Sequence, residues 1–432
     1  MTPNINLVII IIQIFILLSL IFRESRKKQI NFILIFVTIS YIILVQLQSL
    51  WLLFEFNDDV HSIITIVGNK FSYDSYSKTN ILFFIGVIVF SFTVILTDKL
   101  RLYKNRLHYC YKYSIPFIAY FFITCWFFIF SFLLINKIGG IDSAIYNPGQ
   151  MIEGQTVFIL MLSIAKWPLL FKLNFKYKLN FLDFGLFFSY FLLILFNSRF
   201  LASFAVVQLV LVYHYRVQTI NIKKLALVAI PFFLIFIVFG LYRDFSYRFE
   251  TVGVVEASTQ YDMIKEDFSI TDWFFTGNVE AFTGTAGIIH FSDNNMNFGI
   301  DYGVSELSNL FNFIPNKIRN SPNSFIKELN TALSSAYPYK GASVVPSGLE
   351  TSFGHFSYFG FILYNILIAF LPVFFHKGII FNKSNYLLLF LSVHLLNSVR
   401  ASLIGAFIFF GTAEIITFFI FKSMLKKNSL IS

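Results

Sequence analysis

From Asn80 to Thr97 the chain reads NILFFIGVIVFSFTVILT, eighteen residues without a charge. A helix of that length rises about 27 Å, close to the hydrocarbon thickness of a bilayer. It satisfies its backbone hydrogen bonds internally, which is the condition for crossing lipid. Comparable runs occupy 5–22, 31–54, 115–135, 156–171, 181–197, 200–215, 224–241, 353–375, 385–398 and 401–421. Only 13% of the 432 residues are charged and 59 are phenylalanine, so there is too little polar surface to cover a water-soluble core of that kind. The fold class these runs imply is an all-α polytopic membrane protein with about eleven transmembrane helices.

Lysine and arginine orient the runs. The blocks RESRKKQ (23–29), DKLRLYKNRLHYCYKYS (98–114), KLNFKYKLN (172–180), HYRVQTINIKK (214–224), HKGIIFNKSN (376–385) and KSMLKKN (422–428) fall between alternate runs and hold 20 of the 33 Lys and Arg. The positive-inside rule places them in the cytoplasm. The opposite side carries 19 Asp or Glu against 12 Lys or Arg. The N-terminus is then outside and the C-terminus inside, and the net charge of +10 reads as a topology signal with no nucleic acid implied. A further short or re-entrant segment is a candidate at HSIITIVGNKF (61–71). MTPNINLVII lacks the basic start of a cleaved signal, so the first run is expected to be retained.

Three regions follow: a membrane bundle of about eight helices over 1–241, an external loop over 242–352, and about three membrane helices over 353–432. The loop contains TDWFFTGNVEAFTGTAGIIHF and GVSELSNLFNFIPNKIRN, too rich in aromatic and aliphatic residues for a disordered segment. SPNSFIKELNTAL (321–333) opens with a Ser-Pro suited to a helix start. The loop therefore reads as a small helical cap on the outer surface of the membrane.

Arg199 and Arg400 stand at the external ends of two hairpins, in LILFNSRFLASF and LLNSVRASLIGAF, and Arg243 and Asp244 stand where the eighth run leaves the membrane. Three permanent cations at one boundary suit an anion, because each guanidinium offers a planar fork of donors matched to phosphate. The alternative is that each reaches lipid headgroups or pairs with a carboxylate of the cap. Glu414 falls in mid-span and reads as a hydrogen-bonded structural acid. Lys166 and Asp183 lie near cytoplasmic ends, where they are expected to snorkel, and His394 reads as a packing histidine. Cys110 and Cys125 are too few for a disulfide framework. DNNMNFGID (293–301) fails the calcium-loop pattern, and no zinc spacing, phosphate-binding glycine loop or Ser-His-Asp pattern appears. No metal and no cofactor are expected.

The stretch NFIPNKIRNSP (312–322), followed by GASVVPSGLETSFGHFSYFGFI (341–362) at the return to the membrane, resembles the Wzy-type O-antigen and capsular repeat-unit polymerases. The residues that carry the likeness are Pro315, Gly341, Ser343, Glu350 and the pair Phe359-Gly360, together with Arg199 in NSR and Arg243 in GLYRD. Ser357 stands where a first glycine is more usual in that family, and His355 where an asparagine is.

The resemblance implies a membrane glycosyltransferase of the bacterial cytoplasmic (inner) membrane, with its active site facing the periplasm or exterior. Its donor and acceptor are undecaprenyl-diphosphate-linked glycans, and a chain-length-regulating co-polymerase is a possible partner. The leaving lipid diphosphate calls for charge stabilisation, for which Arg199, Arg243 and Arg400 are the candidates, and the acceptor hydroxyl for a base, for which Glu350, His355 and Asp244 are the candidates. Cap aromatics Trp273, Phe274, Phe275, Tyr302, Tyr337 and Tyr339 either stack on sugars or build a cap core. Two rivals stand beside this reading. An O-antigen ligase shares the donor and would use His290 or His355, and a flippase would carry charges deep along a path through the membrane.

Overall fold

A computed structural model of the chain describes residues 2–55, 62–64, 70–100, 113–138, 161–197, 199–221, 224, 234, 281–293, 348–381, 386–399 and 411–427. Helices long and apolar enough to cross a membrane run over Pro3–Ser25, Phe32–Phe54, Tyr73–Lys99, Phe117–Asn136 and Gly348–Phe381, with shorter apolar helices at Phe181–Leu195, Ala202–Val217 and Leu387–Leu396. The protein is thus a predominantly helical membrane protein. Most of the run at 224–241, and residues 401–410, lie outside the described residues, as do 242–280 and 294–347 of the long loop.

Helix α1 (Pro3–Ser25) shows why lipid is the solvent. Its buried positions are Asn6, Ile10, Gln13, Leu17, Leu20 and Glu24, spaced alternately by four and three, so they form one stripe. Three of the six are polar. The outward positions are the greasy ones, among them Phe15 at 71% exposure, Val8, Ile11 and Phe22. A helix that hides amides and shows phenylalanine is inside-out for water and correct for a bilayer.

The chain forms two compact units, the first comprising Met1–Tyr103, Phe268–Lys377 and His394–Phe409. Here the stripe of α1 meets α4 (Tyr73–Lys99). Asn6 donates to Tyr73 Oη at 2.8 Å and Ser77 Oγ at 2.9 Å, Gln13 to Asn80 Oδ1 at 2.9 Å, and Asn80 to Asn6 Oδ1 at 3.1 Å. Between them in sequence lie α2 (Phe32–Tyr41), a π-helical turn (Ile42–Leu47) and α3 (Gln48–Glu55), which run on as one span. Around 61–71 the described residues form two short strands. Ser62–Ile64 and Lys70–Ser72 pair as a short antiparallel hairpin, and Ser72 caps α4 by accepting from the Ser75 N–H at 3.2 Å.

Basic residues gather at the far end of this unit. Asp98 takes Arg23 and, at 2.6 Å, Lys27. Lys377 donates to the carbonyls of Thr97, Asp98 and Leu100 at 2.7–2.8 Å, which satisfies the open C-terminus of α4. Members of three of the sequence's basic blocks thus share one end of one unit.

The second unit comprises Lys104–Asp267, Gly378–Val393 and Phe410–Ser432. Its described helices include α5 (Phe117–Ile138), α6 (Trp167–Phe175), α7 (Phe181–Asn197) and α8 (Arg199–Val212). Outward phenylalanines again mark the lipid side, such as Phe128 and Phe181. Its basic segments also meet: Tyr113–Ser114 pairs with Lys426–Lys427, and Arg216 donates to Asn174 Oδ1 at 3.0 Å and to the Ile379 carbonyl at 3.3 Å.

Two expectations about charged residues fail in this unit. Asp183 is fully buried rather than snorkelling. It accepts from Lys172 at 2.8 Å, from Tyr120 Oη and from the Asn180 N–H at 2.8 Å, while its own N–H donates to Asn180 Oδ1 at 3.0 Å, a reciprocal cap at the start of its helix. Lys166 is 2% exposed and pairs with Glu414. A lysine held by a buried carboxylate has no reason to stretch towards water.

Candidate functional site

In the first unit, α9 (Ala281–Asp293) belongs to the stretch that the sequence assigns to a cap on the membrane surface. It packs along α4. Phe282 stacks on Phe83 at 5.5 Å and leans on Tyr76 at 5.3 Å, and its N–H donates to Gln48 Oε1 at 3.1 Å. Thr283, Thr285, Ala286, Ile288 and Ile289 are buried. At the other end of α9, Asp293 takes Lys78 at 2.9 Å, and His290 Nδ1 accepts from the Ser72 N–H at 3.4 Å. The helix therefore runs antiparallel to α4, with its aromatic start reaching furthest along the bundle.

Helix α10 (Gly348–Phe381) brings Glu350 to this wedge. Glu350 lies in the first turn, where the helix dipole favours an acid, and is fully buried. Its carboxylate lies directly over Gly284 of α9: a Cβ built there would collide with Cδ, Oε1 and Oε2 of Glu350 together. His355, one and a half turns on, is also buried.

The backbone then breaks. Ser357 takes φ 56° and ψ −147°, a region suited to glycine and strained for any residue with a Cβ. The strain falls on a serine, where a glycine would adopt the same backbone without it. After the break Gly360 lies on the Ser352 carbonyl, so a side chain at 360 has no room. The Phe359-Gly360 pair therefore lies just after the break, at the start of the second helical segment of α10. Beyond it α10 runs alongside α4. Phe361 packs edge-on to Phe83 at 5.1 Å, and Asn365 Oδ1 accepts from Tyr41 Oη at 3.0 Å.

Of the six residues expected to form the site, Glu350 and His355 stand on one helix of one unit. Arg199 opens α8 in the other unit. Arg243, Asp244 and Arg400 lie outside the described residues, as do Pro315, Gly341, Ser343 and the six cap aromatics. His290 lies on α9, half-exposed at the end where that helix meets Ser72.

Glu414 is the hydrogen-bonded buried acid expected from the sequence, and what sequence reasoning missed is its partner, Lys166. In the other unit, Glu414 of α12 (Thr412–Ser423) receives Lys166 and the amide of Gln208 on the same oxygen, the latter at 3.0 Å. Gln208 also donates to the Phe390 carbonyl in α11 (Tyr386–Leu391) at 3.1 Å. Trp167, fully buried, donates to Thr417 Oγ1 at 3.2 Å and packs edge-on to Phe390 and Phe418. The only advance signal was a pair of opposite charges in apolar runs, 248 residues apart.

Comparison of the chain with protein-family models, with curated proteins and with solved structures finds no match.

Proposed function

We propose that the protein polymerises undecaprenyl-diphosphate-linked oligosaccharide repeat units into an O-antigen or capsular glycan at the outer face of the bacterial cytoplasmic membrane. The observation that carries the reading is the buried acid Glu350, seated over Gly284 at the start of the helix that returns to the bundle. A carboxylate taken out of water and set in a fixed place is what a base for a sugar hydroxyl requires. The topology of eleven helices with cytoplasmic basic blocks is part of this proposal. It gains support from the grouping of Arg23, Lys27 and Lys377 around Asp98 and the end of α4.

In the reaction we infer, the acceptor hydroxyl oxygen attacks the anomeric carbon of the donor's reducing-end sugar. The bond from that carbon to the diphosphate oxygen breaks, the hydroxyl proton passes to Glu350, and the lipid diphosphate leaves with the bonding pair. Arg199, Arg243 and Arg400 are assigned to the departing diphosphate, whose growing charge their paired N–H groups match. Asp244 and His355 are the remaining candidates for proton transfer.

One observation favours a second reading. A flippase needs charge inside the bundle, and Lys166 with Glu414 supplies a buried pair beyond the surface arginines. Deletion of the gene, followed by gel analysis of the surface glycan, separates the readings. A polymerase leaves single repeat units and no ladder, whereas a flippase or a ligase leaves not even the single unit. An unchanged ladder overturns the proposal.

A further inference from the structure

We propose that Gly284 is a positioning residue for Glu350, so that the missing side chain at 284 sets where the carboxylate stands. This inference rests on the reading of Glu350 as the base.

The geometry is specific to that carboxylate. At Gly86, a Cβ would meet atoms of three different side chains, Phe361, Tyr41 and Asn365. At Gly284 the three nearest atoms are all the carboxylate carbon and oxygens of Glu350. The carboxylate cannot swing into solvent, because Glu350 and the neighbouring Thr283 and Thr285 are buried. Nor can α9 retreat easily. Phe282 is held between Phe83 and Tyr76 and tied by its N–H to Gln48, and the opposite end is tied by Lys78 to Asp293.

Glycine is otherwise a poor choice here, since each one costs a helix about 1 kcal/mol relative to alanine. Gly287, one turn further along α9, is an internal control: a Cβ there would meet nothing within 4 Å. The two glycines share a helix and differ in what lies over them. A methyl at 284 displaces the carboxylate, and a displacement of about 1 Å is enough to cost on the order of 100-fold in a reaction that depends on alignment.

The test uses the full-length protein, expressed in the deletion strain, with two readouts. The first is the surface-glycan ladder. Gly284→Ala is expected to cut long chains by about 100-fold, and Gly287→Ala to leave them unchanged. Glu350→Asp, one methylene shorter, is expected to polymerise less well than wild type alone but better than Glu350 when combined with Gly284→Ala. That reversal of preference is something a merely structural glycine does not produce. A normal ladder from Gly284→Ala, or no reversal, overturns the inference.

The second readout is the melting temperature of the purified protein, which does not depend on activity. Gly284→Ala is expected to lower it with Glu350 present and not in the Glu350→Ala background. An equal drop in both backgrounds overturns the inference even if the ladder is lost. A ladder that survives deletion of the gene overturns the functional reading instead, while the melting comparison still decides whether the contact governs residue 284.

Discussion

Glu414 holds the Lys166 ammonium and the Gln208 amide on a single carboxylate oxygen, and Lys166 has 2% of its surface exposed. Such a pair is costly to desolvate and more costly to break. Lys166→Met alone, or Glu414→Leu alone, is expected to destabilise the protein by about 3–5 kcal/mol, because each leaves the other charge buried. The double substitution is expected to recover most of that loss. Melting of the purified variants checks it, and a double variant as unstable as the sum of the singles would show that the two charges act separately.

Ser357 carries backbone strain that glycine does not feel. Ser357→Gly is expected to raise stability by about 1 kcal/mol, although glycine also loosens the unfolded chain. A shift of the melting temperature upward by a few degrees is the expected result. A downward shift would mean that the serine hydroxyl contributes more than the strain removes.

Gly86 lies where α4, α2 and α10 approach. A Cβ there meets Phe361 at 2.9 Å, Tyr41 Oη at 3.0 Å and Asn365 Nδ2 at 3.1 Å. Gly86→Ala is expected to cost about 1–3 kcal/mol through overpacking, with Gly86→Val worse. The same change pushes on the Tyr41–Asn365 hydrogen bond, so Tyr41→Phe is expected to reduce the penalty of Gly86→Ala in a double-mutant comparison of melting temperatures.

The proposed chemistry separates acid from cation. Glu350→Gln keeps shape and removes the base, so turnover is expected to fall by about 10²–10⁴-fold with the protein still present in the membrane. Arg199→Lys keeps charge and loses the fork, and is expected to impair turnover strongly where the diphosphate is gripped by two N–H groups. Ladder length and protein abundance, measured on the same cells, check both. Full activity in Glu350→Gln removes that residue as base, and full activity in both Arg199→Lys and Arg400→Lys moves those arginines to headgroup contact.

What the sequence made legible, and what it hid, follows from the range of each interaction. The span at Tyr73–Lys99 was plain because an uninterrupted apolar run decides helix and membrane locally. The burial of Asp183 and Lys166 was hidden, because a charge near the end of an apolar run looks the same whether it faces water or a partner. Lys172 and Tyr120 lie 11 and 63 residues from Asp183, and Glu414 lies 248 from Lys166. Helix α9 was hidden for a related reason. Thirteen residues fall short of a span, and composition alone does not tell that its apolar face is buried along α4. Glu350 and the odd serine at 357 were both visible as letters. The glycine that seats the acid, 66 residues earlier, was visible only in three dimensions.

Reconstitution with a defined substrate tests the central claim most directly. The purified protein in vesicles is supplied with a lipid-diphosphate-linked repeat unit on one side, and products are resolved by length. The account predicts a ladder of glycan multiples, with one lipid diphosphate released for each new linkage, and no ladder from Glu350→Gln. Repeat units that cross the bilayer while staying single would contradict it and assign the protein to transport.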